Sequence, residues 1–334
     1  MKFPQDVDKS STFSKGRIAG FKIIDDELNQ VRELIEKQFS DKDDFVERLL
    51  GTFNICSGKM LRSGLVLLAG GSCGKITEEH IRVAAIFEMI HNATLLHDDV
   101  IDHGQKRRGV PTVNTLWGNE SAVLFGDFIL SMVFKMTADL SSSVIKVIAS
   151  AVSATCRGEI KQINQKQNWL LTESDYIDII SEKSAALFST ACYLGGFLAG
   201  AEKGQNQALA DFGLNTGIAF QITDDLVDII GDEGKAGKTL GSDVARNKPT
   251  VAVIHLLSRL DDKQRANLIE KFSTDNDSKQ ILKDMVKSNG SLRYTQRLVE
   301  EYIARAIKSL SPLKEGEAKT ALIETANYVA KRFF

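Results

Sequence analysis

Proline is scarce in this chain of 334 residues, which holds only Pro4, Pro111, Pro249 and Pro312. None falls between Pro111 and Pro249. Proline lacks the backbone N–H and clashes with the preceding helical turn, so helix interiors exclude it. So long a stretch without a breaker reads as helices rather than as many loops. Cysteine is sparse too. Cys56, Cys73, Cys156 and Cys192 are scattered, mostly in apolar text, with no C-x-x-C pair. That argues against disulfides and zinc, and for buried free thiols in a reducing compartment. Long hydrophobic runs are missing: none reaches the ~18 residues of a membrane span. The first twenty residues hold no apolar signal core. A cytoplasmic protein without a transmembrane segment is expected. Nor does one sign of charge dominate. The net charge of −2 gives no bulk field to attract nucleic acid or an anionic membrane. Phosphate binding must come from local groups of Lys and Arg.

What is present is helical periodicity. Ile23, Leu28, Val31, Leu34 and Ile35 form one amphipathic stripe. Thr77, followed by Glu78 and Glu79, predicts a helix start, with the helix running to about Asp102. Further helices are predicted over about 121–140, 142–166, 175–200, 206–230 and 249–260. Shorter ones follow at 263–272, 278–288, 291–309 and 314–334. No run alternates convincingly as a strand, and no linker or short repeat appears. The fold class is therefore all-α, with 1–334 as a single large helical domain. Segments 90–96, 184–199 and 208–222 are apolar or small around the whole circumference, which marks helices central to a bundle.

Two of those segments abut acidic clusters. One is His97-Asp98-Asp99-Val100-Ile101-Asp102; the other is Gln221-Ile222-Thr223-Asp224-Asp225-Leu226-Val227-Asp228. Both read D-D-x-x-D. On a helix these positions share an edge, so three carboxylates are expected to converge. Like charges so close raise one another's pKa unless a cation joins them. Carboxylate oxygens are hard ligands that suit magnesium, which also takes phosphate oxygens. A lone D-D-x-x-D is more often a solvated helix end. Two of them, each flanked by apolar residues such as Leu95, Leu96, Ala219 and Ile222, favour a paired metal site.

Cations stand near by. Lys59 and Arg62 sit at a predicted helix start, a good place for a diphosphate. Arg107 and Arg108 follow the first cluster, Lys183 lies within a central helix, and Lys238 and Lys248 flank Gly241-Ser242-Asp243. Singly, each reads as a solubilising charge. Jointly, they balance two acidic sites and diphosphate groups. The G-K-T at Gly237-Lys238-Thr239 is not a P-loop, because Asp232 stands where its first glycine is needed. His80 and His255 read as packing residues.

With G-K-x-x-R from Gly58, E-x-x-H-x-A-T-L-L-H-D-D-V-x-D from Glu88, R-R-G, F-Q-x-x-D-D-x-x-D, and G-K-T-x-G-x-D followed by K-x-T, the chain resembles the trans-isoprenyl diphosphate synthases, or polyprenyl synthetases. The likeness runs from about Gly58 to Thr250. It implies an all-α isoprenoid synthase-like bundle around a deep central cavity, usually a homodimer. It implies a prenyltransferase that condenses isopentenyl diphosphate with an allylic diphosphate (geranyl, farnesyl or geranylgeranyl). Asp98, Asp99, Asp102, Asp224, Asp225 and Asp228 then correspond to ligands of Mg2+, three ions to a site. Lys59, Arg62, His91 and Arg108 correspond to the isopentenyl diphosphate site. Arg107, Lys183, Ser184, Gln221, Lys238 and Lys248 correspond to allylic diphosphate contacts, and of these Lys183, Gln221 and Lys238 stand closest to the chemistry. Ser63 departs from a common proline, Ser184 from threonine and Asn247 from glycine; the last puts the Lys248 contact in doubt. The end of the chain, Lys331-Arg332-Phe333-Phe334, departs from the family's basic tail. Small Ala93 and Thr94 before the first cluster imply a product longer than fifteen carbons, roughly C30 to C50 at one ~5.4 Å turn per isoprene unit. Phe128, Met132 and Phe134 are candidate floor residues, and Phe220 a candidate π face for a carbocation. A short-chain synthase, a class I terpene cyclase and a non-catalytic subunit are the alternatives. Two intact D-D-x-x-D clusters oppose the last two.

Overall fold

The computed structural model describes residues 18–40, 44–231, 247–274 and 278–331. A 3₁₀ turn, Ala19–Ile24, enters α1, Asp25–Lys37. Leu28, Val31 and Ile35 bury the predicted stripe of α1, while Ile23 stays exposed in the preceding turn. The short helix α2, Asp44–Phe53, precedes α3, Leu61–Cys73. Next comes α4, Glu78–Ile101, with Thr77 as its cap. His80 completes that cap from within, its Nδ1 accepting from the Thr77 backbone at 3.1 Å. Its Nε2 lies 3.0 Å from the Gly195 carbonyl oxygen, so this fully buried histidine is a packing and capping residue.

Between α4 and α5, Val113–Trp117, lies one feature that periodicity does not predict. Strands β1, Lys106–Arg107, and β2, Val110–Pro111, form a hairpin closed by Arg108-Gly109. Both turn residues have positive φ, +54° and +83°, as a tight two-residue hairpin requires. Gly109 takes this conformation freely. Arg108 does so at a cost of about 1 kcal/mol.

The chain continues through α6, Asn119–Thr137, and α7, Ser142–Asn164. Then α8, Glu173–Ile180, runs through a π turn, Ser181–Ala185, into α9, Ala186–Leu198. The second long helix is α10, Lys203–Ile230. Five more complete the fold: α11, Val251–Ser258; α12, Asp262–Thr274; α13, Ser278–Ser288; α14, Ser291–Ser309; and α15, Glu317–Ala330. Helix α9 packs between α3 and α10, α10 also packs on α14, and α4 pairs with α6. The main core runs through all of these; a smaller one joins the end of α10 to α11, α12 and α13. Each fully buried side chain such as Leu65, Phe87 or Phe212 contributes about 1.5–3 kcal/mol. No helix among the described residues is long and apolar enough to cross a membrane. The cysteines are free; Cys56 and Cys192 are buried as expected, but Cys156 is exposed.

Candidate active site

Helix α4 is buried almost throughout, yet His91, Thr94, Leu95, Asp98 and Asp102 stay partly open along one stripe. On α10 the partly open stripe is Phe220, Gln221, Asp224 and Val227. Each D-D-x-x-D ends a long helix, and each stripe leads into one. The two ends share their cations. Lys183 acts electrostatically on Asp98, Asp102 and Asp225, and Arg107 acts on Asp98, Asp99 and Asp224.

The three carboxylates of a cluster do not converge on their own. Among the described residues no three His, Cys, Asp or Glu side chains stand as a ready metal cluster. Positions i and i+4 share a face, but i+1 points about 100° away around the helix. That displaced residue turns to a neighbour in both clusters. Asp99 takes a two-pronged ion pair from Arg107, at 2.9 Å from Nε and 2.7 Å from Nη2. Asp225 accepts from the Tyr176 hydroxyl at 2.6 Å and from Gln221 Nε2 at 2.7 Å. Asp102 accepts from Lys248 Nζ at 2.7 Å. Asp228 is buried and Asp224 half-buried.

The Asp98 carboxylate accepts no hydrogen bond among the described residues. Burial pushes its carboxyl up to about 6; Lys183 draws it down, and Glu159 and Asp102 push it further up. Asp225 is likewise pushed up to about 6, first by burial, with the Tyr176 and Gln221 bonds opposing.

Lys183 lies in the π turn, where one extra residue per turn re-aims the side chain. Gly158 makes room for this turn, since a Cβ there would sit 2.2 Å from the Lys183 backbone nitrogen. The ammonium pairs with Glu159 and donates to Gln162 Oε1 at 2.7 Å. Glu159, Asp98 and Asp102 together outweigh burial and raise its pKa. Ser184 donates to Gln221 Oε1 at 2.6 Å, and that glutamine in turn holds Asp225.

A cationic niche adjoins the first cluster. Arg62, in the first turn of α3, is 6% exposed with its guanidinium carbon 4.8 Å from the Phe188 ring centre. Burial lowers its pKa to about 10. His91 is held well below its usual value by burial and then by Arg62, Arg108 and Arg107, so it is neutral at pH 7. Arg108 donates to Ser57 Oγ at 2.5 Å. Exposed Lys59 reaches the Tyr328 hydroxyl on α15. Phe220 packs on Phe188, with ring centres 5.2 Å apart.

The expected departures resolve simply. Asn247 adopts the left-handed conformation, φ +55°, which asparagine tolerates. Lys248, next in the chain, is 4% exposed and donates to Asp102. Ser63 is fully buried and donates to the Ala84 carbonyl oxygen at 3.0 Å. Phe134 is 72% exposed and cannot floor a cavity, whereas Met132 is buried and Phe128 half-buried against Phe39. Lys238, Gly241-Ser242-Asp243 and the terminal Arg332-Phe333-Phe334 lie outside the described residues. Sequence reading missed Glu88, Glu159, Gln162 and Tyr176, which act by contact across helices; only the E-x-x-H motif carried a hint of the first. It also passed over Gly70-Gly71-Ser72-Cys73-Gly74, which matches G-x-S-x-G. Ser72 there ends α3 and donates to Ala69 O at 2.8 Å, with no strand-to-helix elbow to activate it. A separate cleft of about 530 Å³ between α8 and α14 contains none of the predicted site residues.

Residues 43–288 match the family model for polyprenyl synthetase. The chain is 35% identical over 279 residues to the octaprenyl diphosphate synthase of Escherichia coli strain K12, covering 82% of this chain and 86% of that one. It is 32% identical over 282 residues to a short chain isoprenyl diphosphate synthase of Methanothermobacter thermautotrophicus, covering 82% and 86%. The fold matches a polyprenyl synthase from Caulobacter crescentus CB15, solved with calcium and isoprenyl diphosphate, at a TM-score of 0.89 and 28% identity, covering 94% of this chain and 97% of that one. Two acidic helix ends that share cations beside an arginine niche thus belong to a known scaffold: the chain is a member of the polyprenyl synthetase family and a trans-prenyltransferase.

Proposed function

We propose that the chain, as one helical unit, joins isopentenyl diphosphate to a geranyl, farnesyl or geranylgeranyl primer and extends it to an all-trans product of roughly C30 to C50. The observation that carries this reading is the sharing of Lys183 and Arg107 between the aspartate clusters of α4 and α10. A diphosphate between those helix ends meets cations from both sides.

Asp98, Asp102, Asp224 and Asp228 would hold Mg2+, with Asp99 and Asp225 released from their present partners or acting through them. The donors fit: all are hard oxygens, and the Asp98 carboxylate has its oxygens free of donors among the described residues. Bound magnesium would supply electrostatic stabilisation of the departing diphosphate. Arg107, Lys183 and Lys248 orient that group and offset its charge. Gln221, held by Ser184, fixes the distance between the π turn and α10. Lys59, Arg62, His91 and Arg108 take the second diphosphate, neutral His91 serving as an N–H donor. Phe220, packed on the buried Phe188, presents an aromatic face and helps to exclude water from the allylic cation. No side-chain nucleophile is required.

Growth length follows the room below the aspartates. Ala93 and Thr94 are small, and a bulky residue at that turn would block the shaft. The runner-up is a short-chain product, supported by the similarity to a short-chain synthase. A homodimer is part of the proposal: Leu124 and Phe134 on α6 are 67% and 72% exposed, an apolar face suited to a second copy. The test is incubation of the purified chain with Mg2+, isopentenyl diphosphate and each primer, followed by product sizing. Products no longer than C20 would replace the long-chain reading, and no product from the chain alone would favour the subunit reading.

A further inference from the structure

Glu88 is an acid in the core of an otherwise apolar helix stretch, 3% exposed and one turn before His91. A buried carboxylate is costly unless neighbours compensate it. Its neighbours belong to the cationic niche. The Ser63 hydroxyl, which donates to the Ala84 carbonyl oxygen at 3.0 Å, lies 3.4 Å from Glu88 Oε2, and Ser63 favours the charged carboxylate. Ser63 follows Arg62 in the opening turn of α3, so Glu88 stands at the start of the helix that carries Arg62, where its negative charge is favoured. The charges of Arg62 and then Arg108 are the first to oppose the effect of burial on Glu88. Conversely, Glu88 is the leading attractive charge on each of those arginines.

Gly58 shows how tightly this is built. A Cβ at that residue would sit 2.9 Å from Arg108 Nη2 and 3.4 Å from Glu88 Oε1, so arginine and glutamate crowd one point. Arg62 has a buried Nε with no hydrogen-bond partner among the described residues. Its guanidinium is steadied by the Phe188 ring and by charge, which leaves its N–H groups for a ligand. Arg62, Arg108 and the nearby Arg107 are like charges gathered around a neutral His91. Glu88 is the anion placed to hold two of them.

We infer that Glu88 is a positioning residue, which orients the Arg62 and Arg108 guanidinium groups for the diphosphate of the five-carbon substrate. This rests on the reading of Lys59, Arg62, His91 and Arg108 as that subsite. Glu88 touches no reacting atom; it acts through the arginines.

The test is steady-state kinetics of the full chain, with KM measured for both substrates. Glu88→Gln keeps the shape and removes the charge. It should raise the KM for isopentenyl diphosphate about tenfold, leaving kcat and the KM for the allylic primer within about twofold. Glu88→Asp keeps the anion but withdraws its oxygens from the arginines, and should give the same selective rise at about threefold. A residue needed only for packing would lower Tm or move both KM values together. Arg62→Gln separates the two layers of the argument. If it leaves the isopentenyl KM unchanged, the subsite reading fails. If it raises that KM while both Glu88 variants match the wild type, the Glu88 inference alone is overturned. In the double variant Arg62→Gln/Glu88→Gln the effects should not add, because the glutamate would have lost its client; full additivity would also overturn it.

Discussion

Replacing Asp98 by asparagine should make the metal-free protein more stable at neutral pH while abolishing turnover. Burial pushes the Asp98 carboxyl from 3.8 up to about 6. A folded pKa above the unfolded one means that folding favours the protonated form. That contribution is fully present below pH about 4 and is lost as pH rises through about 6. A shift of about two units, at 1.36 kcal/mol each, sets the cost of the anion at pH 7 at about 3 kcal/mol at most. Side-chain relaxation and solvent access bring it to roughly 1–3 kcal/mol. Asparagine keeps the shape and removes the charge, so it recovers that energy. For a chain of 334 residues the gain corresponds to a Tm rise of about 1–4 °C. The assay is thermal denaturation with a chelator present, wild type beside Asp98→Asn, at pH 4 and pH 7. The difference should be large at pH 7 and nearly absent at pH 4. A variant that melts at or below the wild type at pH 7, or that gains equally at both pH values, would refute the reasoning.

Three further outcomes are expected. Ala93→Phe should shorten the product by at least one five-carbon unit, since one helical turn approximates one unit; an unchanged length distribution by chromatography would show that this turn does not line the shaft. Arg108→Gly should relieve about 1 kcal/mol of left-handed strain and raise Tm slightly, yet weaken isopentenyl diphosphate by tenfold or more in KM. Leu124→Glu combined with Phe134→Glu should yield a monomer by sedimentation, with the helical circular-dichroism signal intact.

Much of the fold was legible in the sequence because its signals are local. Thr77 with two acids behind it starts α4, and the proline-free middle does form long helices. The motifs placed Arg62, His91, Lys183 and Gln221 near the two acidic ends. What stayed hidden depends on the third dimension. The π turn that aims Lys183 leaves no mark on a 3.6-residue pattern, and it needs Gly158 on another helix to exist. The Arg108-Gly109 hairpin is too short to alternate. Asp99 and Asp225 were expected to join their neighbours, but Arg107 and Tyr176 claim them across the bundle. Phe134 looked like a floor residue on spacing, and only the packing of α6 reveals that it faces outward.

Both aspartate groups stand at the carboxyl ends of long helices, 24 residues in α4 and 28 in α10, and neither last turn carries a basic residue. The peptide dipoles of each helix deliver a negative pole there, unfavourable to an acid by about 0.3–1 kcal/mol. Two such poles, added to the charge of the acids themselves, favour a cation at each of these helix ends. Selection for heat resistance alone would swap these acids for lysines, so endurance and turnover pull this chain in opposite directions.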